Sequence, residues 1–561
     1  MHIGKGSEFM SDFIDIRPPQ LPPAVNDSNA GTAPLETSGF VRKCENISYR
    51  FKSDGKLYLQ GTGVLENISE EEFAKNIRFA YIDEGITEIG DEAFEGCSRL
   101  ESVRLPSSVT GIGEEAFSKC FSLKEINFPE GLTKIGRRAF YQCRMIFEAD
   151  IPTPVERISE EAFAGCTELR KVTLGTGVKK IKEKVFDDCK KLSRIELPEG
   201  VEKIYSGTFK NCSGLKEIVL PKTLKKIEAE AFKRCENLTN VDFPENLIEI
   251  GDMAFKGSGL SEIKLPEEIR TVGAEVFKNT PWYESQPDGL IYYNNILLGL
   301  KGRIDDSIIY EIKNGTEKLA QRAFCSTEHG PCQVIVPPTV TVLPEGLFKN
   351  CTNLKRVFLP KSIFKISSEV FSFCTNLEDI TVYNDSDEIG SKQKEAFSGE
   401  AELPFSVAVI EDFAFEACLK LKKVSISDTV LQIGIGAFLD CEELTEIKLP
   451  QNIRKIEFKS FCGCKKLKNI IIPEGMKYIE EYAFDRCESL ECADLPDSVS
   501  KLGAGIFKRC INLKKIVLRE KINEIEDSIF DPLKMSPVVF VKKGSYAEEF
   551  SLNEGYKTEY I

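Results

Sequence analysis

The sequence predicts an α/β solenoid, in which short coils stack into a right-handed superhelix with one parallel sheet of short strands and short helical turns. Three observations predict this fold class: phenylalanine recurs every 23 residues, alternating apolar residues precede a proline, and cysteine follows the phenylalanine by three residues. A fixed period of this length is typical of a solenoid, because each repeat buries its apolar face against its neighbours. The phenylalanines of the period are Phe94, Phe117, Phe140, Phe163, Phe186, Phe209, Phe232 and Phe255 and, after an irregular middle, Phe415, Phe438, Phe461, Phe484, Phe507 and Phe530.

Each coil is predicted to hold one short strand and one short helical turn, as the repeat that begins at Leu123 illustrates. Ile126 and Phe128 are two residues apart, which is the spacing of side chains on one face of a strand. Pro129 ends the strand because proline lacks the amide hydrogen that a sheet needs. A turn of helix is then expected to carry Phe140 into the core, where a buried phenylalanine contributes about 1.5–3 kcal/mol. About 19 such coils at the spacing of paired strands would make a body on the order of 90 Å long.

Most of the 19 cysteines share one position of the repeat, three residues after the phenylalanine. We expect them to stack into one buried column, in which cysteine acts as a small apolar residue whose weak S–H donor meets a backbone carbonyl. Ser258 takes this position once, which favours free structural thiols over a disulfide framework. The column consists of Cys97, Cys120, Cys143, Cys166, Cys189, Cys212, Cys235, Cys351, Cys374, Cys418, Cys441, Cys464, Cys487 and Cys510.

The full repeat pattern, L-x-x-I-x-L-P-x-x-V-x-x-I-G-x-x-A-F-x-x-C, resembles the BspA-like leucine-rich repeat. Residues 100–120 and 444–464 follow the pattern closely, and the resemblance covers residues 38–561. It implies a right-handed leucine-rich-repeat superhelix and a non-enzymatic, protein-binding function. It also implies an adhesin-like protein that is secreted or lies on the cell surface of a host-associated microbe, with a host or self surface protein as its partner.

The ends of the chain and its middle also resemble segments of that family. Residues 44–64 are similar to an N-terminal β-cap whose hairpin turns at Asp54-Gly55. Residues 279–302 are similar to a common interruption of the repeats, and residues 538–556 to the C-terminal closing segment. We therefore divide the chain into a leader with a disordered arm (1–37), an N-terminal β-cap (38–75), regular repeats (76–280), irregular repeats with insertions (281–414), regular repeats (415–535) and a C-terminal cap (536–561).

Composition excludes several classes of function. The net charge of −15 argues against a nucleic-acid partner, which would require a basic surface. No apolar run is long enough to insert into a membrane, and no signal peptide is visible, so a cytoplasmic interaction scaffold is the alternative to a surface protein. With only two histidines, catalysis by a histidine triad or a histidine-bound metal is excluded outside the segment that contains His329. We predict no cofactor and a monomer.

Cys325, His329 and Cys332 lie within eight residues and allow three interpretations. They can be loop residues without a role, a Cys325–Cys332 disulfide, or three ligands of a zinc site that lacks an evident fourth ligand. The zinc site would make the chain a metal-dependent enzyme or hydrolase, and a carboxylate pair would be the other route to an enzyme. We favour loop residues without a role and a protein that is not an enzyme.

The residues that flank the buried isoleucine of each strand are expected to point outward and to align in two exposed columns. Such a regular sheet suits a protein partner, and aromatic and arginine residues dominate binding hot spots. We therefore place the partner near the irregular middle, with an exposed Phe358 beside Arg356 as its anchor. The insertions at 281–302 and 383–406 are either surface insertions or recognition loops. The candidate binding residues are Arg356, Phe358, Asp379, Thr381, Val219 and Glu217.

Overall fold

The computed structural model of the chain is a parallel β-solenoid of about 21 turns with very few helices, which confirms the predicted fold class. It describes residues 41–43, 46–69, 71, 73–305, 307–325, 330–383, 400–531 and 537–561. The predicted leader and arm, Cys44, His329 and the middle of the second insertion lie outside the described residues. The domain boundaries proposed above stay a prediction.

The strands that follow the recurring leucine of the repeats, together with those of both caps, form one ladder, which we call the front ladder. The first three strands pair antiparallel. The later neighbours are parallel and usually 23 residues apart, so that Lys171 pairs with Arg194 and Arg194 with Glu217. The ladder is divided into four sheets. Its strands are Val41–Lys43, Ile47–Phe51, Lys56–Gly61, Phe79–Ile82, Ser102–Arg104 and Glu125–Ile126; Glu148–Ile151, Lys171–Leu174, Arg194–Glu196 and Glu217–Val219; Ile309–Glu311, Gln333–Ile335, Arg356–Pro360, Asp379–Tyr383, Glu400–Glu402, Lys423–Ser425 and Glu446–Lys448; and Cys492–Asp494, Lys515–Leu518, Val538–Val541 and Lys557–Tyr560.

A second ladder runs beside the front ladder, so the expectation of a single sheet was wrong. The I-G segment of each coil also pairs with its neighbours, because its backbone is extended for two residues before the phenylalanine turn, as at Ile135 and Ile158. Its strands are Gly63–Leu65, Ile86–Ile89, Gly111–Ile112, Lys134–Ile135, Arg157–Ile158, Lys180–Ile181, Lys203–Ile204, Lys226–Ile227, Glu249–Ile250 and Thr271–Val272; Gly289–Tyr293, Ile296–Lys301 and Lys318–Leu319; Val342–Leu343, Lys365–Ile366, Val409–Ile410 and Gln432–Ile433; and Lys455–Ile456, Tyr478–Ile479, Lys501–Leu502 and Glu524–Ile525.

The segment that carries the phenylalanine is a series of tight turns, and the predicted helical turns are wrong. In one coil Glu115 and Lys119 have positive φ values of 53° and 61°, which a helix would not allow. The amide of Phe117 donates to the carbonyl of Ala139 in the next coil, so the turns bond between coils. The described helices are the 3₁₀ helix Ala74–Asn76 and the α-helices Pro281–Glu284 and Tyr546–Asn553. Within the described residues, no helix combines the length and apolar character needed to cross a membrane.

The core is the predicted spine of stacked phenylalanines. The rings of Phe94 and Phe117 are 5.1 Å apart and nearly parallel, and those of Phe117 and Phe140 are 5.3 Å apart. Each of these side chains is fully buried. The isoleucines and leucines of both ladders pack around the rings, so the core is continuous along the stack.

The cysteine column is buried, and its thiols are free, as predicted. Each thiol after Cys97 donates to the backbone carbonyl of the phenylalanine in the preceding coil, as Cys120 does to Phe94 at 3.1 Å and Cys143 to Phe117 at 3.0 Å. Burial raises the pKa of these thiols, to about 12 at Cys97. The column therefore satisfies carbonyl groups inside the turns and keeps its sulfurs protonated.

The irregular middle departs from the period in two different ways. Residues 289–301 form a hairpin, in which Gly289–Tyr293 pairs antiparallel with Ile296–Lys301 and Asn294 has a positive φ of 51°. Further along, the ring of Phe371 stacks directly on that of Phe415 at 5.2 Å, although 44 residues separate them. Over the same stretch the second ladder passes from Ile366 straight to Ile410.

Candidate protein-binding face

The outer face of the front ladder presents side chains in register over many coils. In the second of its four sheets, Lys171, Arg194 and Glu217 are exposed and lie on successive strands. The guanidinium of Arg194 lies 3.2 Å from the Glu217 carboxylate, and both side chains are more than half exposed. Glu217 is therefore accessible, as predicted, and it takes part in an ion pair that solvent screens.

The apolar residues expected on this face differ widely in exposure. Ile471 is 80% exposed, at a point where the ladder is reduced to a single bridge between Lys448 and Ile471. Val219 and Thr381 are half-buried, so both are partly accessible. Val517 also flanks the isoleucine of its strand, but it is buried, and Phe540 lies opposite it on the next strand.

Arg356, Phe358 and Asp379 are buried, and the prediction that they form an exposed anchor was wrong. Arg356 Nη2 lies 2.6 Å from Asp379 Oδ2, and Arg356 Nε lies 3.1 Å from the same oxygen. The guanidinium also lies 5.8 Å from the centre of the Phe358 ring. In this structure the three side chains contact one another, and they leave little exposed surface for a partner to bind.

Phe358 is buried because a second hydrophobic cluster forms on the outside of the front ladder. Phe358 packs with Ile335 and Tyr383, and the half-buried Ile309 joins them. The Tyr383 hydroxyl donates to the carbonyl of Val336 at 2.6 Å, which satisfies its polar end. Outward-pointing residues on neighbouring strands thus form a small core of their own, a possibility that strand alternation alone does not reveal.

The interpretations of Cys325, His329 and Cys332 are narrowed by the structure. Neither Cys325 nor Cys332 is in a disulfide, which contradicts that interpretation. The Cys325 thiol donates to the carbonyls of Gly346 and Lys349, at 3.0 and 2.8 Å, and burial raises its pKa to about 12. Across the described ranges, which leave out His329, no group of three potential metal ligands comes together.

Carboxylates take part in contacts between neighbouring coils. Glu101 accepts from Arg78 at 2.6 Å, and this hydrogen bond holds the pKa of the carboxyl below its ordinary value. Burial raises the pKa of Asp187, whose carboxylate accepts from the Asn211 amide at 3.0 Å. Both carboxylates therefore accept a hydrogen bond from a residue of a neighbouring coil.

Sequence reasoning missed three exposed apolar residues beside the second ladder: Phe364, Phe405 and Leu431. A signal for two of them was present. The position seven residues before the repeat phenylalanine is polar in the first coils but holds Phe364, Ala408 and Leu431 in the coils of Phe371, Phe415 and Phe438. The polar residues at this position in the first coils are Thr87, Thr110, Thr133, Glu156, Lys179, Glu202 and Lys225.

Comparison with known proteins supports the repeat pattern. The family model described as BspA type Leucine rich repeat region (6 copies) matches residues 66–193, 157–284, 307–403 and 408–536. No curated protein matches the chain.

Several solved structures are similar to the chain. A leucine-rich repeat protein from Bacteroides ovatus is 22% identical, with 93% of this chain and 99% of that chain covered and a TM-score of 0.37. A leucine rich cell surface protein from Faecalibacterium prausnitzii is 21% identical, with 87% and 95% covered and a TM-score of 0.26. The leucine-rich repeat protein of T. pallidum is 27% identical, with 35% and 90% covered and a TM-score of 0.29.

Proposed function

Because the chain belongs to the BspA type leucine-rich repeat family, we propose that it is a non-enzymatic scaffold that binds a protein partner on the outer face of the front ladder. Leucine-rich repeat proteins typically bind proteins. The observation that carries the proposal is the register of the exposed side chains of Lys171, Arg194 and Glu217 on successive parallel strands. Such a regular, extended surface offers many weak contacts to a large partner rather than one enclosed site for a small molecule.

The binding surface that we propose differs from the one predicted from the sequence. Glu217 and Val219 remain candidate contacts, together with Thr381 on the strand beside the buried cluster. Arg356, Phe358 and Asp379 support the face from within. The mixture of charges on this face favours a polar, charge-complementary interface over a largely apolar one.

We further propose that the protein is adhesin-like and acts at the surface of a host-associated microbe, as the family often does. The partner is then a host protein or a surface protein of the same organism. The alternative is an interaction scaffold inside the cell. Protease treatment of intact source cells separates the two, because only a surface protein is digested while the membrane is whole.

The test of front-face binding begins with a partner captured from host and self extracts and identified by mass spectrometry. A charge swap, Arg194→Glu with Glu217→Arg, keeps the ion pair but reverses the pattern of charge that a partner meets. We expect the swap to weaken binding of the identified partner by about tenfold or more, measured by surface plasmon resonance.

The matched control is the swap Lys225→Glu with Glu202→Lys. This pair is 3.0 Å apart and similarly exposed, but it lies beside the second ladder. It should leave the affinity nearly unchanged. If the control weakens binding and the front-face swap does not, the partner uses another face of the solenoid.

A further inference from the structure

Three large apolar side chains form an exposed patch beside the second ladder, which we call the flank patch: Phe364, Phe405 and Leu431. Phe405 is 65% exposed, Leu431 63% and Phe364 47%. Single exposed apolar residues are common, but neighbouring large ones on a soluble protein usually mark an interaction site. The flank patch is independent of the front face proposed above.

Backbone hydrogen bonds place the members of the flank patch on successive coils. The Ala408 amide donates to the carbonyl of Phe364, and the Leu431 amide donates to that of Ala408, both at 2.9 Å. At the spacing of paired strands, Phe364 and Leu431 are therefore about 10 Å apart, with the small Ala408 between them.

The third member, Phe405, lies in the turn that leads into the same coil. The Val407 amide donates to the Pro404 carbonyl at 3.0 Å and closes this turn. The Thr429 hydroxyl in the following coil donates to the carbonyl of Phe405 at 2.6 Å. Because these hydrogen bonds already fix the backbone around Phe405, little main-chain entropy is lost when a partner binds the ring.

The rim of the flank patch is mostly cationic, although the whole chain carries a net charge of −15. The column of Phe364, Ala408 and Leu431 continues into Arg454 and Lys477, and Lys361 precedes Phe364 by three residues. Within the described part of the chain, none of these three cations forms an ion pair; Arg454 donates to the carbonyls of Gln451 and Ile453. Two acidic residues lie in the same columns: Asp428, whose carboxylate accepts from the Gln451 backbone amide, and the exposed Glu474, three residues before Lys477.

We propose that the flank patch docks an acidic, amphipathic segment of a partner protein, whose apolar side chains cover Phe364, Phe405 and Leu431 and whose carboxylates meet Lys361, Arg454 and Lys477. The charge of the rim favours an acidic segment over a second copy of this chain as the partner of the flank patch. A second copy of this chain, docked by the same patch around a two-fold axis, would bring two cationic rims together. An acidic segment pairs with the same rim instead.

The test uses a synthetic peptide in which leucine and phenylalanine alternate with glutamate, carrying a photo-crosslinker. A second peptide replaces every glutamate by lysine, and a third replaces the apolar residues by serine. We expect only the first to bind in fluorescence anisotropy and to cross-link within residues 361–454. Equal binding of the lysine peptide, or cross-links confined to the front ladder, would overturn the inference, and the second result would still leave front-face binding standing.

Substitutions in the flank patch test where the glutamate peptide binds. Phe405→Ser with Leu431→Ser should raise the Kd of the glutamate peptide by about tenfold or more, because exposed apolar anchors dominate such contacts. Arg454→Glu should raise it as well, and more strongly at low salt. The matched control is Ile511→Ser, which removes a 62% exposed apolar residue elsewhere and should leave the Kd unchanged.

Sedimentation velocity tests the competing occupant. We expect the wild-type chain and the Phe405→Ser, Leu431→Ser variant to sediment alike. A wild-type dimer that this variant converts to a monomer would show that a second copy covers the flank patch, and it would overturn the proposal. Unchanged thermal unfolding of the variant, expected for exposed positions, establishes that the fold is intact.

Discussion

The Arg356 guanidinium lies 2.6 Å from the Asp379 carboxylate, one rung further along the front ladder, and both side chains are buried. Removing Asp379 takes a charged hydrogen-bond partner away from a buried guanidinium. We therefore expect Asp379→Ala to lower the free energy of unfolding by about 3–5 kcal/mol. Urea unfolding, combined with hydrogen exchange of the neighbouring strands, measures the loss.

The exposed pair of Arg194 and Glu217 is the control for this prediction. Its atoms approach to 3.2 Å, yet both side chains are more than half exposed. Glu217→Ala should change the stability by less than about 1 kcal/mol, since solvent screens the pair. Equal losses for Asp379→Ala and Glu217→Ala would contradict the burial of the first pair.

Phe358→Ala is predicted to lower the free energy of unfolding. The ring is fully buried against Ile335 and Tyr383, so its removal leaves a cavity in the second cluster. We expect a loss of about 3–5 kcal/mol, similar to that of Phe140→Ala in the phenylalanine spine. Phe405→Ala, at an exposed ring, should cost less than about 1 kcal/mol by the same denaturation assay. A small effect of Phe358→Ala would show that the ring is open to solvent.

Ser258→Cys should stabilise the protein. Ser258 occupies the cysteine column, is buried, and its hydroxyl has no hydrogen-bond partner within the described structure. A buried hydroxyl without a partner costs about 1–3 kcal/mol, whereas a thiol is a weaker polar group that packs as an apolar one. We expect the urea midpoint to rise. Cys235→Ser, in the adjacent coil, should lower it, and a rise in both variants would argue against this explanation.

The stability should fall at alkaline pH. Burial raises the pKa of Cys97 and Cys441 to about 12, above the ordinary value of about 8.5 in an unfolded chain. Folding thus favours the protonated thiol, and this contribution is complete below about pH 8.5 and is lost as the pH rises toward 12. Urea unfolding between pH 8 and pH 10.5 should show a steadily lower midpoint.

The burial of the cysteine column also predicts which thiols an alkylating reagent can modify in the native protein. At pH 8 the half-buried Cys492 should react with iodoacetamide in the native protein, whereas Cys97 and Cys441 should react only after unfolding, because the thiolate is the reactive form. Peptide mapping by mass spectrometry distinguishes the sites. Rapid labelling of Cys441 in the native state would contradict a closed column.

The repeat period was sufficient to predict the spine of phenylalanines and the column of thiols, because both follow from one residue type at a fixed spacing. It could not predict the second ladder, since Lys134-Ile135 is only two residues long and shows no alternation. The positive φ values of Glu115 and Lys119 were also hidden, because ordinary residues occupy a conformation that usually selects glycine.

The candidate site was predicted less well than the fold. Strand alternation identified Phe358 as outward-pointing, but it did not show that Ile335 and Tyr383 would pack on the same side. The flank patch was not predicted, because strand alternation concerns only the front-ladder strand of each coil, whereas Leu431 belongs to the short segment beside the second ladder. A column-by-column comparison of polarity, applied to every repeat position, would have identified Phe364 and Leu431 as departures.

The direct stacking of Phe371 on Phe415 has a consequence for the path of the whole molecule. Between Arg356 and Lys423 the front ladder adds three steps, through Asp379–Tyr383 and Glu400–Glu402, whereas the second ladder adds two between Ile366 and Ile433. One side of the stack is thus longer than the other by one strand spacing, about 4.8 Å. We therefore expect the coils before the extra strand to be tilted relative to those after it. A rigid partner bound flat on one side of that strand would then lose contact with the other side.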